Sequence, residues 1–418
     1  MFPSSKIRAC SVALLSPLIL AVTCSAQTWT EARVVELFSR QSPQAVAARA
    51  QVAVTRAEAR ARALYSNPSF SYSREGAGVT QFFQAEQTLP ITGRIGILRQ
   101  TVAPAMGAAE AEADALVWQL RAEVRLAFYR LLALQGREGV LDATLKDMQE
   151  VNRVLATREK EGEGSRFDRL RGERELVEIR AELASVQAQA AQARGRLLEF
   201  LPQGTEIVRV EGAVIPFEEL PALADLLDRA VAARAELRVD SQLVARLRLE
   251  QQAAGRLRYP EPVVAAGLKR ADAVDFSQPG RPPSERARNG AYVGITIPIP
   301  SFNRGQFEVT RLQAEQARVE AHRRALEHQI RQQVTGAFQT LTLRRGALQS
   351  YRQELGARNE DLLKIAQAAY QEGQAGILEL LDILRLQRQS QQRVIELGAA
   401  AREAQIELER VMGQEVTK

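Results

Sequence analysis

Two histidines, His322 and His328, and two cysteines, Cys10 and Cys24, are the chain's whole stock of imidazoles and thiols. A chelating pair of histidines on a helix wants a spacing of three or four residues, and these two lie six apart, which turns them in opposed directions. Both cysteines precede residue 27, the expected start of the mature chain, so neither a thiolate metal site nor a thiol nucleophile is expected there. The sequence has no glycine-rich phosphate loop and no zinc-protease helix motif, and its carboxylates recur at the spacing of solvated helix faces. No enzyme, metal site or cofactor is expected. Three carboxylates stand out by position: Asp168 lies just past the break at Gly162–Gly164, and Glu379 and Asp382 lie just past the break at Gly373–Gly376. Asp168 and Glu379 are 211 residues apart, and acids in the first turn of a helix are favoured by its macrodipole. Arg166, Arg169 and Arg171 beside Asp168 are candidates for pairing with carboxylates across the break.

The elements that would hold these residues are long helices. Aromatic residues make up only 5% of the 418, against 45% hydrophobic and 25% charged, and Ala, Glu, Gln, Leu and Arg dominate, the composition of coiled coils. The formal charge is +6, with acids and bases interleaved, so no nucleic-acid partner is expected. At the N-terminus, Lys6 and Arg8 precede a broken apolar stretch and the small residues Cys24-Ser25-Ala26, which predicts a signal peptide over 1–26; acylation at Cys24 is the alternative. After residue 26 no apolar run approaches the ~20 residues of a membrane helix. Membrane passage would then need strands.

The chain reads as two copies of one unit, 27–202 and 220–414, joined by a linker over 203–219. Each copy has a helix pattern stopped at a proline, Pro68 or Pro260, then two strand-like patches closing on Pro90 or on Pro298 and Pro300. Gly93 and Gly305 follow, suited to a tight passage from strand to helix. A long helix comes next, about 101–162 or 305–372, and a return helix, about 165–201 or 377–413. The extra residues of the second copy fall in 272–288, a longer loop. Leu141, Leu145, Met148, Asn152 and Leu155 form a heptad seam, as do Leu348, Tyr351, Leu355, Arg358, Leu362, Ile365 and Ala369, and each needs a neighbouring helix. The 67 residues of 305–371 contain no proline and would span about 100 Å. The strand candidates, 69–75, 79–88, 262–270 and 291–298, are each near the ~9–11 residues of a tilted membrane strand. Four strands cannot close a barrel, and open edges are not tolerated in lipid, so several chains must share one.

Three motifs carry a resemblance: Tyr370-Gln371-Glu372-Gly373 with Glu379-Leu380-Leu381-Asp382, the run 297–306 (Ile-Pro-Ile-Pro-Ser-Phe-Asn-Arg-Gly-Gln), and the run 87–94 (Gln-Thr-Leu-Pro-Ile-Thr-Gly-Arg). With the duplicated helices, they make the chain resemble the TolC family of outer-membrane efflux proteins over residues 28 to 414. The third motif is similar to that of the CzcC-like heavy-metal cation branch, with Thr-Gly-Arg where that branch has Gly-Gly-Lys-Arg. The resemblance implies a mainly α fold of long antiparallel coiled-coil helices in an α-barrel, plus four membrane β-strands per protomer. Three protomers would make a homotrimer with a 12-stranded barrel in the outer-membrane lipid and a tunnel in the periplasm. A periplasmic adaptor (membrane fusion) protein would meet the tip turns at Gly162, Gly164, Tyr370, Gly373 and Gly376, and an inner-membrane pump of the resistance-nodulation-division type would supply energy. Asp168, Glu379 and Asp382 would ring the pore entrance. Divalent metal cations are the first-ranked cargo, followed by drugs or organic solutes and then secreted protein. A periplasmic adaptor and a soluble coiled-coil scaffold are the competing readings.

Overall fold

The computed structural model describes residues 29–75, 80–214, 220–271, 288–372 and 374–416, with side chains except those of 356–360 and 371. The expected signal peptide, most of the expected 272–288 loop and Gly373 lie outside the described residues. In order the elements are β1 (Trp29–Thr30), α1 (Glu31–Gln41), α2 (Pro43–Ala61), β2 (Ser69–Glu75), β3 (Thr80–Thr88), α3 (Arg94–Gln100), α4 (Val102–Glu161), α5 (Arg166–Leu198), β4 (Val210–Glu211), α6 (Leu223–Ala233), α7 (Ala235–Gly255), β5 (Val263–Ala271), β6 (Arg288–Thr296), α8 (Gln306–Gln371) and α9 (Ile377–Met412). The fold class is the one expected: long helices with four antiparallel strands.

At 60 and 66 residues, α4 and α8 run about 90 and 100 Å at ~1.5 Å per residue. Shorter helices flank them in two tiers. In the tier nearer the strands the packing order is α2–α4–α7–α8, and in the tier toward the turns it is α5–α4–α9–α8. The protomer is therefore a slab one helix thick, with α8 exposed along one margin and α2 and α5 along the other. One face of the slab is covered midway by α1, the two-residue parallel pair β1–β4, and α6. That short pair was not expected from the sequence. Arg125 on α4 is buried there and pairs with Glu31 on α1 and Glu409 on α9, while the Tyr129 hydroxyl donates to Glu31. Burial alone would raise the Glu31 carboxyl, but the Arg125 charge and the Tyr129 and Arg125 hydrogen bonds outweigh it and leave it below the usual range.

The two heptad seams differ in fate. Leu141, Met148 and Leu155 are buried within the protomer, against α5. Of the other seam Leu348 is buried, yet Leu355, Leu362 and Ile365 are 37%, 47% and 64% exposed. Toward the end of α8 the residues that pack inward are Leu363, Ala366 and Tyr370. The stripe is thus covered by its own chain at Leu348 and faces outward at Leu355, Leu362 and Ile365.

The strands form one sheet in the order β2-β3-β5-β6, all antiparallel, with β2 and β6 as edges. Residues opposite one another share a face. Phe70, Phe83, Val264, Leu268, Val293 and Ile295 fall on one face by register; Ser71, Gln84, Glu86, Gly267, Lys269 and Tyr292 fall on the other. One side is apolar and the other polar, the pattern of a sheet with lipid on one side and water on the other. On the polar side Tyr292 lies across Gly267, its direct partner, and its hydroxyl donates to Gln84 at 2.5 Å. A Cβ at Gly267 would stand 2.7 Å from the Tyr292 ring and 2.5 Å from the Phe83 carbonyl oxygen, so only glycine fits.

Candidate functional site

The two turns at the far end of the slab hold the carboxylates singled out above. At the first turn α4 ends on Gly162 in the left-handed region, φ 76°, which glycine adopts without steric cost. Glu163 and Gly164 N–H groups both donate to the Arg158 carbonyl, at 2.9 and 3.0 Å. Gly164 is needed for space: a Cβ there would meet the Arg158 Cβ at 3.0 Å and the Glu159 nitrogen at 3.1 Å. Ser165 caps α5 by accepting from the Phe167 N–H at 3.1 Å. At the second turn Gln374 and Ala375 donate to the Ala369 carbonyl. Gly376 is in extended backbone, φ −78°, so of Gly162, Gly164 and Gly376 only Gly162 takes a positive φ.

Asp168 sits half-buried in the first turn of α5, while Glu379 and Asp382 are exposed in the opening turns of α9. The Glu379 carboxylate accepts the Gly376 N–H and so caps its own helix. Among the described residues no hydrogen bond joins the three acids, and no ion pair of Asp168 is found with Arg166, Arg169 or Arg171. Arg169 pairs instead with Glu159 and Glu173 inside its own hairpin, and Arg171 lies 5.0 Å over the Phe167 ring. The two turns are joined by another arginine, Arg158, 5.0 Å over the ring of Tyr370.

The strongest link between the return helices was not anticipated. Glu175 on α5 is buried and accepts from Arg385 Nε on α9 at 3.0 Å, with Arg388 at 3.8 Å. Arg388 also approaches Glu182 at 3.7 Å, and Gln392 donates to Glu182 at 2.9 Å. Glu175 and Arg385 are 210 residues apart, as are Glu182 and Gln392. That is within one residue of the 211 between Asp168 and Glu379, so the sequence carried a signal: an acid on the first return helix with an arginine or glutamine donor one offset on. Beneath, Ile377, Leu380, Leu381 and Leu384 pack with Leu155, Leu176 and Ile179.

At the other end lie the passages from strand to helix. Gly93 and Gly305 both take the left-handed region, φ 74° and 77°. Gly305 has a second constraint, since a Cβ would stand 2.8 Å from both the Ala254 carbonyl oxygen and the Leu257 Cβ. Pro90 lies just past the end of β3, and Pro298 and Pro300 just past β6; the Leu89 N–H donates to the Pro262 carbonyl at 2.8 Å, which ties the first passage to the start of β5. His322 Nδ1 is 2.9 Å from the buried Asp240 carboxylate, and His328 is exposed elsewhere on α8. Among the described residues no group of three potential ligands is arranged to hold a metal ion, and no helix is long and apolar enough to cross a membrane.

No family model matches the sequence. It is 25% identical over 312 residues to the cobalt-zinc-cadmium resistance protein CzcC of Cupriavidus metallidurans, which covers 71% of this chain and 68% of that protein. Among solved structures, the chain is similar to the channel protein CusC (TM-score 0.71, 17% identity, 92% of each chain covered) and to the outer-membrane channel OprN (TM-score 0.69, 20% identity, 93% and 91% covered). It is likewise similar to the outer membrane protein VceC of Vibrio cholerae, with TM-score 0.68, 17% identity and 92% and 96% covered.

Proposed function

Starting from a chain that has the fold of the TolC-type outer-membrane factors, we propose that three copies assemble into a duct through the outer membrane, with a helical tunnel in the periplasm. It passively conducts what an inner-membrane pump expels through a periplasmic adaptor. The observation that carries this reading is the pair of unmatched margins. One side of the protomer ends in β2, α2 and α5, and the other in β6 and α8. Since α2 runs into β2 and β6 runs into α8, the strand edge and the helix edge lie in line on each side. Strand edges facing lipid are untenable, so β6 of one copy is satisfied by β2 of the next, and α8 by α2 and α5. Such a head-to-tail contact closes into a ring. Two copies would give eight strands, whose interior side chains fill the lumen; three give twelve and leave a water-filled bore.

The finer proposal is that the cargo is divalent heavy-metal cations, supported by the similarity to CzcC. Repeated around the ring, Asp168, Glu379 and Asp382 make carboxylate rings at the narrow entrance that attract cations and repel anions. The tip turns around Gly162, Gly164, Tyr370, Gly373 and Gly376 meet the adaptor. Purified protein is expected to migrate in detergent as a heat-sensitive trimer and to form cation-preferring channels in planar bilayers, with cation preference reduced by the double variant Asp382→Asn, Glu379→Gln. A stable monomer without conductance would overturn the duct; unchanged conductance and cation block in the variant would overturn the rings alone. A deletion strain sensitised to organic toxicants but not to cobalt, zinc or cadmium would overturn the metal cargo.

A further inference from the structure

Below the sheet the strand-to-helix passages carry exposed apolar side chains: Ile91, Ile299, Phe302 and Phe307 are 71%, 80%, 95% and 79% exposed. Arginines crowd the same level. The segments 62–68, 89–99, 256–262 and 297–308 hold six arginines (62, 94, 99, 256, 258 and 304) and two carboxylates, Glu261 and Glu308. Contacts tie these segments into one belt, with the 62–68 segment held by the Gln87 side chain donating to the Ser66 carbonyl at 3.0 Å. Leu89 bonds to Pro262, Thr92 donates to Glu261 at 2.9 Å, and Gly305 packs on Leu257.

The charge of this belt is not neutralised from within. Glu261 is engaged by Thr92, and Glu308 by Arg311 at 2.8 and 3.0 Å, with the charge of Arg94 a lesser influence on it. Among the described residues none of the six arginines has an ion pair within 4.0 Å, and the buried Nε of Arg94 has no hydrogen-bond partner. Two of the six are oriented by aromatic rings: Arg99 lies 4.9 Å over Tyr65 and Arg258 lies 4.8 Å over Tyr259. Stacking fixes the plane of a guanidinium and leaves N–H groups for a phosphate, although Arg258 also donates one Nη2–H to the Tyr259 hydroxyl at 2.7 Å. Tyrosines mark the boundary between apolar band and water, where their rings sit at headgroup depth.

We propose that this belt binds the headgroups of anionic phospholipids in the periplasm-facing leaflet, the guanidinium forks taking the phosphates while Ile299, Phe302 and Phe307 seat among the acyl chains. The inference rests on the outer-membrane reading above. A net-positive belt at that depth is drawn to a negatively charged leaflet, and arginine suits a phosphate because it donates two parallel hydrogen bonds. Zwitterionic lipid offers the same phosphate with a neutralising ammonium beside it, so the excess of arginine over carboxylate selects for net anionic lipid.

The test uses the full-length protein in nanodiscs of phosphatidylethanolamine with a minor fraction of phosphatidylglycerol, and reads the lipids retained on gentle extraction by mass spectrometry. Wild type is expected to retain phosphatidylglycerol over its bulk fraction by about fivefold per engaged arginine, the equivalent of the ~1 kcal/mol an arginine gains near an anionic leaflet. In the triple variant Arg99→Gln, Arg258→Gln, Arg304→Gln the enrichment is expected to fall severalfold, and the corresponding lysine variant is expected to retain more of it. Retention at the bulk ratio by wild type overturns the proposal while leaving the duct intact, as does equal enrichment in wild type and the glutamine variant. Failure of wild type to enter bilayers of either composition overturns the duct reading, and this inference with it.

Discussion

Arg125 holds three elements at one point, because its guanidinium reaches Glu31 on the first helix and Glu409 on the last. Glu31 has a lowered carboxyl pKa in the folded chain, so its pairing stabilises fully above the unfolded value of about 4.3 and is lost as pH falls through the folded one. Replacing Glu31→Gln is expected to lower stability by about 1–3 kcal/mol at neutral pH, since a charge-assisted hydrogen bond to a buried arginine is removed. In acid the difference between wild type and variant should shrink, and thermal unfolding followed from pH 7 down to pH 3 checks this. A gap that widened on acidification would contradict the sign of the shift. Arg125 lies within a plain helical pattern and nothing in its neighbourhood marks it, so the partnership was not legible in the sequence. It depends on residues 94 and 284 positions away being brought to one spot. The glycines were better marked: Gly93, Gly162 and Gly305 follow or precede helix-length runs, and each takes the left-handed backbone such a position invites.

Among the elements, α8 is the one whose surface is least explained by its own chain. Its inward side includes Ile330, Val334 and Leu341 and, near the turn, Leu363, Ala366 and Tyr370, while its outward side includes Leu343, Leu355, Leu362 and Ile365. Heptad spacing in the sequence revealed the outward stripe but not its direction, because spacing says that a partner exists and not which chain supplies it. On α5, Phe167, Leu170 and Val177 are exposed in turn, at 62%, 47% and 62%. Introducing charge by Leu362→Asp together with Ile365→Asp should spare the fold of the single chain, since both side chains face outward. It should prevent the trimer, with a loss of the trimer-sized species in detergent at unchanged helical content. A variant trimer of wild-type heat resistance would show that this stripe has no partner. The strands were also partly legible. Alternation in Val293 and Ile295 revealed an apolar face, while the order β2-β3-β5-β6 came from pairing across nearly 200 residues that no local pattern records.

At the scale of the whole molecule, the slab has a polar rim of arginines at one end, a sheet with two chemically distinct faces above it, and a pair of capped turns about 100 Å away. The link between the return helices, Glu175 with Arg385 and Arg388, sits near those turns, beside the apolar cluster of Leu176, Ile179, Leu380 and Leu384. Its two-half symmetry was available in the sequence as the 210-residue offset. Its burial was not, because Glu175 looks like any other acid on a charged helix until α9 covers it.

The unmatched margins carry a genetic consequence. In the proposed ring every copy depends on two neighbours of its own kind, so a chain defective only along α8 would still offer a sound α5 margin and be drawn into rings with normal chains. In a cell making both in equal amounts, only about one ring in eight would escape a faulty seam, as expected for random mixing in a closed head-to-tail trimer. Lesions of that margin should therefore behave as dominant alleles, whereas lesions that prevent the single chain from folding should be recessive.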